Sequence, residues 1–231
     1  MSQSREGAIL ASWQHNAAPW SDLVRRHGIA SRRHTDPAIV QAALQCQPRS
    51  VLDVGCGEGW LCRTLAAEGL QVTGVDAIEA LVQRAREQHP LGHYQCLDYQ
   101  ALAEGALPGR FDLAICNFSL FGDASVSRLL QGLHRQLNDG GTLLIQTLHP
   151  VTSCQGDYRD GWRPGSWQGC DGDFRDPPPW YFRTLGSWLK LLDDSGYRVT
   201  LHEPLDPHHG VPLSALLQCR PDHLLHEYHK S

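Results

Sequence analysis

The chain has 231 residues, 41% of them hydrophobic and 19% charged, with 22 glycines and 14 prolines. That suffices for a buried core in one domain and excludes a disordered tail protein, a collagen-like chain and a small disulfide-stapled scaffold. The 20 basic and 25 acidic residues give a net charge of −5, which does not suit a surface built to neutralise a phosphate backbone. No apolar run approaches the roughly 20 residues of a membrane span. The opening MSQSREGAIL lacks the basic-then-apolar pattern of a secretory leader, so a cytosolic protein is expected. Eight cysteines without a C-x-x-C pair predict reduced thiols rather than a disulfide framework or zinc site. Only Cys154 and Cys170, in loop-like sequence, are placed to pair or react.

Residues 1–49 read as a helical cap, with one helix over Trp13–Val24 and another over Pro37–Leu44. Thr35 or Asp36 would cap the second helix, with Pro37 in its first turn. From Ser50 the pattern alternates. Strand candidates are Ser50–Val54, Gln71–Val75, His93–Cys96, Phe111–Asn117 and Thr142–Leu148. Helical spacing lies between them at Trp60–Glu68, Ile78–Gln88 and Ala124–Leu137, the last ended by Asn138-Asp139-Gly140-Gly141. Such alternation predicts an α/β fold, doubly wound around a mostly parallel sheet, with ligands beyond the carboxyl ends of the strands. Residues 151–186 break the pattern, holding six glycines, four prolines and 7 of the 18 aromatics. A loop of that length is expected to serve as a lid or binding loop. A helix at Gly186–Ser195 and strands at Tyr197–His202 and Ala215–Cys219 close the domain, leaving a tail over 221–231. In that tail His223, His226 and His229 recur every three residues, but the segment is short and no metal site is expected.

The first strand ends Asp53-Val54-Gly55-Cys56-Gly57-Glu58-Gly59. Glycines at a strand-to-helix turn let the backbone approach a ligand closely. The dinucleotide spacing is G-x-G-x-x-G, whereas here Trp60 follows G-x-G-x-G, so a pyrophosphate cradle is disfavoured. Asp76 ends the second strand, where a carboxylate can accept both hydroxyls of a ribose or cap the next helix. Asp98 and Tyr99 follow the third strand; Asp98 is either an adenine contact or an ordinary loop residue. Asn117 and Ser119 follow the fourth, at the rim where such sheets bind ligands.

In the order and spacing of these landmarks the chain resembles the class I S-adenosylmethionine-dependent methyltransferases, in particular the small-molecule, ubiquinone-type group, over about residues 35–220. The resemblance implies a seven-stranded Rossmann-like sheet with a helical N-terminal cap and an aromatic-rich insert. It implies S-adenosylmethionine as cofactor and S-adenosylhomocysteine as product. Asp53, Gly55, Cys56, Gly57 and Gly59 would wrap the methionine portion, Asp76 and Ala77 the ribose, and Asp98 and Tyr99 the adenine. Asn117 and Ser119 would lie near the methionine amino group, and Arg33 in the cap would meet its carboxylate or else stand as an exposed charge. The stretch Phe182-Arg183-Thr184-Leu185, with Trp188 to Leu192, Ser195-Gly196-Tyr197 and Glu203-Pro204 after it, resembles the family's helix-then-hairpin ending.

His149 closes the fifth strand at the same rim and is the candidate base; alternatively it is a polar strand-end residue that orients the loop. In the insert Tyr158, Trp162, Arg163 and Tyr181 are candidate substrate contacts, or rings that simply pack the loop. Arg159, Arg163 and Arg175 would bind an anion or pair with the neighbouring aspartates. The expected reaction is methyl transfer to an O, N or C nucleophile of a small-molecule acceptor. A methyltransferase modifying RNA or protein, and a non-enzymatic S-adenosylmethionine-binding protein, are the alternatives. No membrane partner is expected, nucleic acid is disfavoured, and a homodimer is left open.

Overall fold

The structure is a computed structural model and describes residues 2–222, so the histidines expected in the tail lie outside the described residues. In chain order the elements are α1 (Ser2–His15), α2 (Ala17–Arg25), α3 (Arg32–Gln45), β1 (Ser50–Val54), α4 (Trp60–Ala67), β2 (Gln71–Asp76), α5 (Glu79–Gln88), β3 (His93–Cys96), α6 (Tyr99–Ala103), β4 (Phe111–Asn117), α7 (Ala124–Gly132) and β5 (Leu137–Leu148). The chain continues with α8 (Pro150–Ser153), β6 (Gly161–Arg163), β7 (Trp180–Phe182), α9 (Leu185–Asp194), β8 (Tyr197–His202) and β9 (Ser214–Pro221).

Seven strands form one sheet in the order β3-β2-β1-β4-β5-β9-β8. The first five are parallel, and β9 runs antiparallel to both β5 and β8. This is the expected doubly wound, mostly parallel architecture. Period-two alternation divides the core between the two faces. Leu52, Val54, Ala114, Cys116, Leu143 and Ile145 pack with Leu129 of α7 and Trp188 of α9. Val51, Leu113, Ile115 and Leu144 pack with Ile39 of α3, Leu61 of α4 and Val82 of α5. The strand order reverses between β1 and β4, and the crevice there, beyond the carboxyl ends, is where such sheets take ligands.

Four expectations are corrected. The helix expected over Trp13–Val24 is two, broken at Asn16 (φ −103°, ψ 11°), whose side chain bonds elsewhere. Helix α3 begins at Arg32 with Pro37 inside it, because its opening turn is closed by short-range bonds such as His34 N to Ser31 O (3.0 Å). Neither Thr35 nor Asp36 caps it. The Asn138–Gly141 stretch does not end a helix. After α7 and one turn of 3-10 helix at Leu133–Gln136, β5 starts at Leu137 and runs through it as a bulge. Asn138 Nδ2 donates to Asp112 Oδ1 at 2.8 Å, and Gly140 takes a left-handed φ of 77°. Finally, the insert is not structureless: β6 and β7 pair antiparallel in a small second sheet. All eight cysteines are free thiols, Cys154 and Cys170 included. Among the described residues no helix is long and apolar enough to cross a membrane.

Candidate active site

A cavity of about 380 Å³ opens at the β1/β4 crevice. Its floor is the turn after β1. Gly55, Gly57 and Gly59 have φ of 76°, 56° and 81°, a region side chains rarely adopt. Asp76 holds this turn: Oδ2 accepts from Gly57 N and Oδ1 from Ile78 N, both at 2.9 Å. Burial pushes the Asp76 carboxyl up even against those two bonds. A Cβ at Gly57 would meet only Trp20 Nε1, in ordinary contact at 3.9 Å, whereas one at Gly55 would strike Ser119 Cβ at 2.4 Å. The first glycine thus serves close packing and the second bares backbone to the cavity.

Gly55, Cys56, Gly57, Asp76, Ala77, Asp98, Tyr99, Asn117 and Ser119 all line the cavity. Several also hold the scaffold. Asp98 caps α6 through Ala101 N (2.8 Å), the Tyr99 hydroxyl donates to Ser119 O (2.8 Å), and Ser119 Oγ donates to Val54 O (2.8 Å). Asn117 Oδ1 is buried with no hydrogen-bond partner among the described residues.

The remaining candidates lie elsewhere. Asp53 alternates with Val54 and therefore points beneath α4, where its Oδ2 accepts from the Cys62 thiol (3.3 Å) and burial pushes its carboxyl up to about 7. Gly59 backs onto Ala85 and Tyr94, behind the cavity. Arg33 is exposed, and its neighbour Arg32 enters instead. One helical step is about 100°, so the two face different ways. The Arg32 guanidinium lies 5.3 Å from the Trp20 ring and 5.4 Å from Trp60, and burial holds its pKa below the usual value against the pull of Asp36 and Glu58. Neither periodicity nor residue type separated Arg32 from Arg33.

His149 is 2% exposed and turned from the cavity. Its Nδ1 accepts from Val151 N (3.3 Å), which leaves the proton on Nε2 to donate to Glu203 Oε1 (2.6 Å). Tyr158, Trp162, Arg163 and Tyr181 do not line the cavity either; they pack within the insert. Trp162 meets Tyr181 edge-on at 5.6 Å, Tyr158 meets Phe182 at 5.9 Å, and Arg163 lies over Phe182 at 5.2 Å. Arg159, Arg163 and Arg175 pair with Asp157, Asp157 and Asp173.

The walls come from segments that sequence periodicity did not single out as site-forming. Glu6, Leu10 and Trp13 of α1, Phe121 and Gly122 of the loop after β4, and Ser125 and Arg128 of α7 all face the cavity. Cap and insert are clasped together above it. The Asn16 side chain donates to Arg175 O (2.7 Å) and accepts from Arg175 N (2.8 Å), and Ser12 Oγ donates to Asp176 O. Trp13 sits 6.0 Å from Phe121 and 5.6 Å from Trp167 of the insert.

A family model described as a methyltransferase domain matches residues 27–202. The chain belongs to this methyltransferase family. It is 29% identical over 148 residues to malonyl-[acyl-carrier protein] O-methyltransferase of Pseudescherichia vulneris, covering 64% of this chain and 56% of that protein. It is 34% identical over 114 residues to ubiquinone biosynthesis O-methyltransferase of Coxiella burnetii, covering 48% of each. The chain thus spans about half the length of the curated relatives it matches. Among solved structures it resembles an S-adenosylmethionine-dependent methyltransferase from Mesorhizobium loti (27% identity, TM-score 0.58, 75% of this chain and 90% of that one). It shares its fold with 1,6-didemethyltoxoflavin-N1-methyltransferase of Burkholderia thailandensis (17% identity, TM-score 0.69, 96% and 91% covered).

Proposed function

We propose that this protein catalyses S-adenosylmethionine-dependent methyl transfer to a small-molecule nucleophile. The observation that carries the reading is the turn at Gly57: a left-handed glycine, held by Asp76, that bares its backbone to a cavity a Cβ would begin to fill. The other walls fit the same cofactor. The orphaned Asn117 Oδ1 is an acceptor for the methionine ammonium, and Arg32 between its two indoles is the counter-charge for the carboxylate. Asp76 keeps lone pairs that would accept from ribose hydroxyls, and Ala77, Ile78 and Asp98, which line the cavity, would hold the adenine. When bound, S-adenosylmethionine supplies a methyl group on a sulfonium already activated toward attack.

The chain's own residues then position the acceptor and exclude water. Trp13 and Phe121 close an apolar wall against solvent, and the clasp of Asn16 on Arg175 keeps cap and insert in place over it. His149 is turned away, so the catalytic base assigned to it finds no support in its position. That favours an acceptor nucleophilic without a histidine base, such as a carboxylate or a neutral amine. The O-methyltransferase names of the curated relatives support the oxygen nucleophile. A cytoplasmic location belongs to the same proposal and is supported by the free thiols.

Calorimetric titration with S-adenosylmethionine, S-adenosylhomocysteine and NADH tests the cofactor. Micromolar binding of the first two and none of NADH is expected; NADH binding alone overturns the reading. Methyl-labelled cofactor incubated with a metabolite extract then identifies the acceptor.

A further inference from the structure

Glu6 is a half-buried acidic residue on the cap, and its carboxylate faces the loop after β4. Its Oε1 accepts from Asp123 N (3.0 Å) and from Ser125 N (3.1 Å), at the start of α7. A helix begins with unsatisfied N–H groups and favours negative charge there. α7 is not capped by its own Asp123 side chain; a carboxylate from another helix takes that place. The stretch it closes, Phe118–Asp123, is the strained loop after β4: Phe118 has a φ of 50°, and Phe121 and Gly122 line the cavity.

The same loop is held from its other side. Arg183, 5% exposed, donates to Gly122 O (2.8 Å) and Asp123 O (2.9 Å), and Tyr181 N donates to Phe121 O (2.8 Å). The insert end therefore holds the loop through these three bonds, whereas the cap holds it through the Glu6 carboxylate and through Trp13 packed 6.0 Å from Phe121. Because α1 also covers the cavity with Leu10 and Trp13, the helix that closes over the cofactor carries the group that orders the loop beside it.

We propose that Glu6 is a positioning residue that couples closure of the cap to the ordering of the loop 118–123, so that the acceptor side of the cavity is completed only once α1 is seated. The inference rests on the methyltransferase reading and deepens it: the helix that lines the cofactor cavity also completes its acceptor side.

The test compares wild type with Glu6→Ala and Glu6→Gln by amide hydrogen exchange and by calorimetry with S-adenosylhomocysteine. Exchange at residues 118–126 is followed without ligand and with it. In wild type, ligand protects both α1 and this loop. In Glu6→Ala, loss of a cap raises loop exchange roughly five- to thirtyfold, and ligand protects α1 without restoring the loop. Glu6→Gln keeps an oxygen acceptor for the same two N–H groups and stays within about threefold of wild type. A role in stability alone would raise exchange throughout the β-sheet. That pattern, or loop exchange unchanged in Glu6→Ala, overturns the coupling while wild-type binding still upholds the cofactor. Absence of ligand binding by the wild type overturns the cofactor reading, and with it the coupling that rests on that reading.

Discussion

At Asp53 a carboxylate is buried among apolar side chains with one thiol for a partner. Burial raises its pKa from 3.8 to about 7. Below 3.8 the folded and unfolded chains both carry the proton. As pH rises toward 7 the unfolded chain ionises first, so stability present at low pH is lost through the folded pKa. Asp53→Asn should therefore remove a pH dependence worth up to about 4 kcal/mol between pH 4 and 8. The check is the difference in Tm between variant and wild type across that range, which should widen in the variant's favour as pH rises. The paired arginines give a second contrast. If Arg32 holds the cofactor carboxylate, Arg32→Ala should weaken S-adenosylhomocysteine binding about ten- to a hundredfold, as loss of a charge-assisted bond does. Arg33→Ala, on the exposed face, should leave calorimetric affinity unchanged.

Between elements, the cap and the insert are joined by half-buried bonds from Ser12 and Asn16 and by exposed contacts of Arg26 with Asp171. Asn16 is 1% exposed and spends its side chain on Ser12 O and on both backbone groups of Arg175. Asn16→Ala should cost about 1–3 kcal/mol. It should also speed limited proteolysis within residues 164–176 before any cleavage of the sheet, because the insert loses its two bonds to Asn16 while the core is untouched. The aromatic residues of the insert make the complementary point. Trp162 meets Tyr181 and Trp180 meets Phe182 across or along the hairpin, while Arg5 of α1 lies over Trp162 and Arg183 over Tyr181.

For the whole molecule, stability comes from a sheet buried on both faces. Ile115, fully buried in the central strand β4, packs against the α3–α5 side. Ile115→Ala should cost about 2–5 kcal/mol in urea unfolding. Leu91→Ala, at a residue 90% exposed, should stay within about 0.5 kcal/mol. The mixed surface, with a net charge of −5, fits a small acceptor better than a nucleic acid.

Much of this was legible because local rules govern it. Alternating apolar strands and helical spacings fixed the doubly wound class, since a strand buried on both faces and a helix buried on one leave different periods in sequence. Gly57, Asp76 and Asn117 were legible as cavity-lining residues because they sit at or just past strand ends, which the fold class alone carries to one rim. What only the tertiary structure decided concerns direction and meeting. Alternation along β1 turned Asp53 beneath α4, one helical step exchanged Arg33 for Arg32, and a bond to Glu203 turned His149 away. The cavity's upper wall, from Glu6 and Trp13 to Phe121, is assembled by residues more than a hundred positions apart. No periodicity records such contacts, because they depend on where the packed cap comes to rest rather than on any residue's own preference.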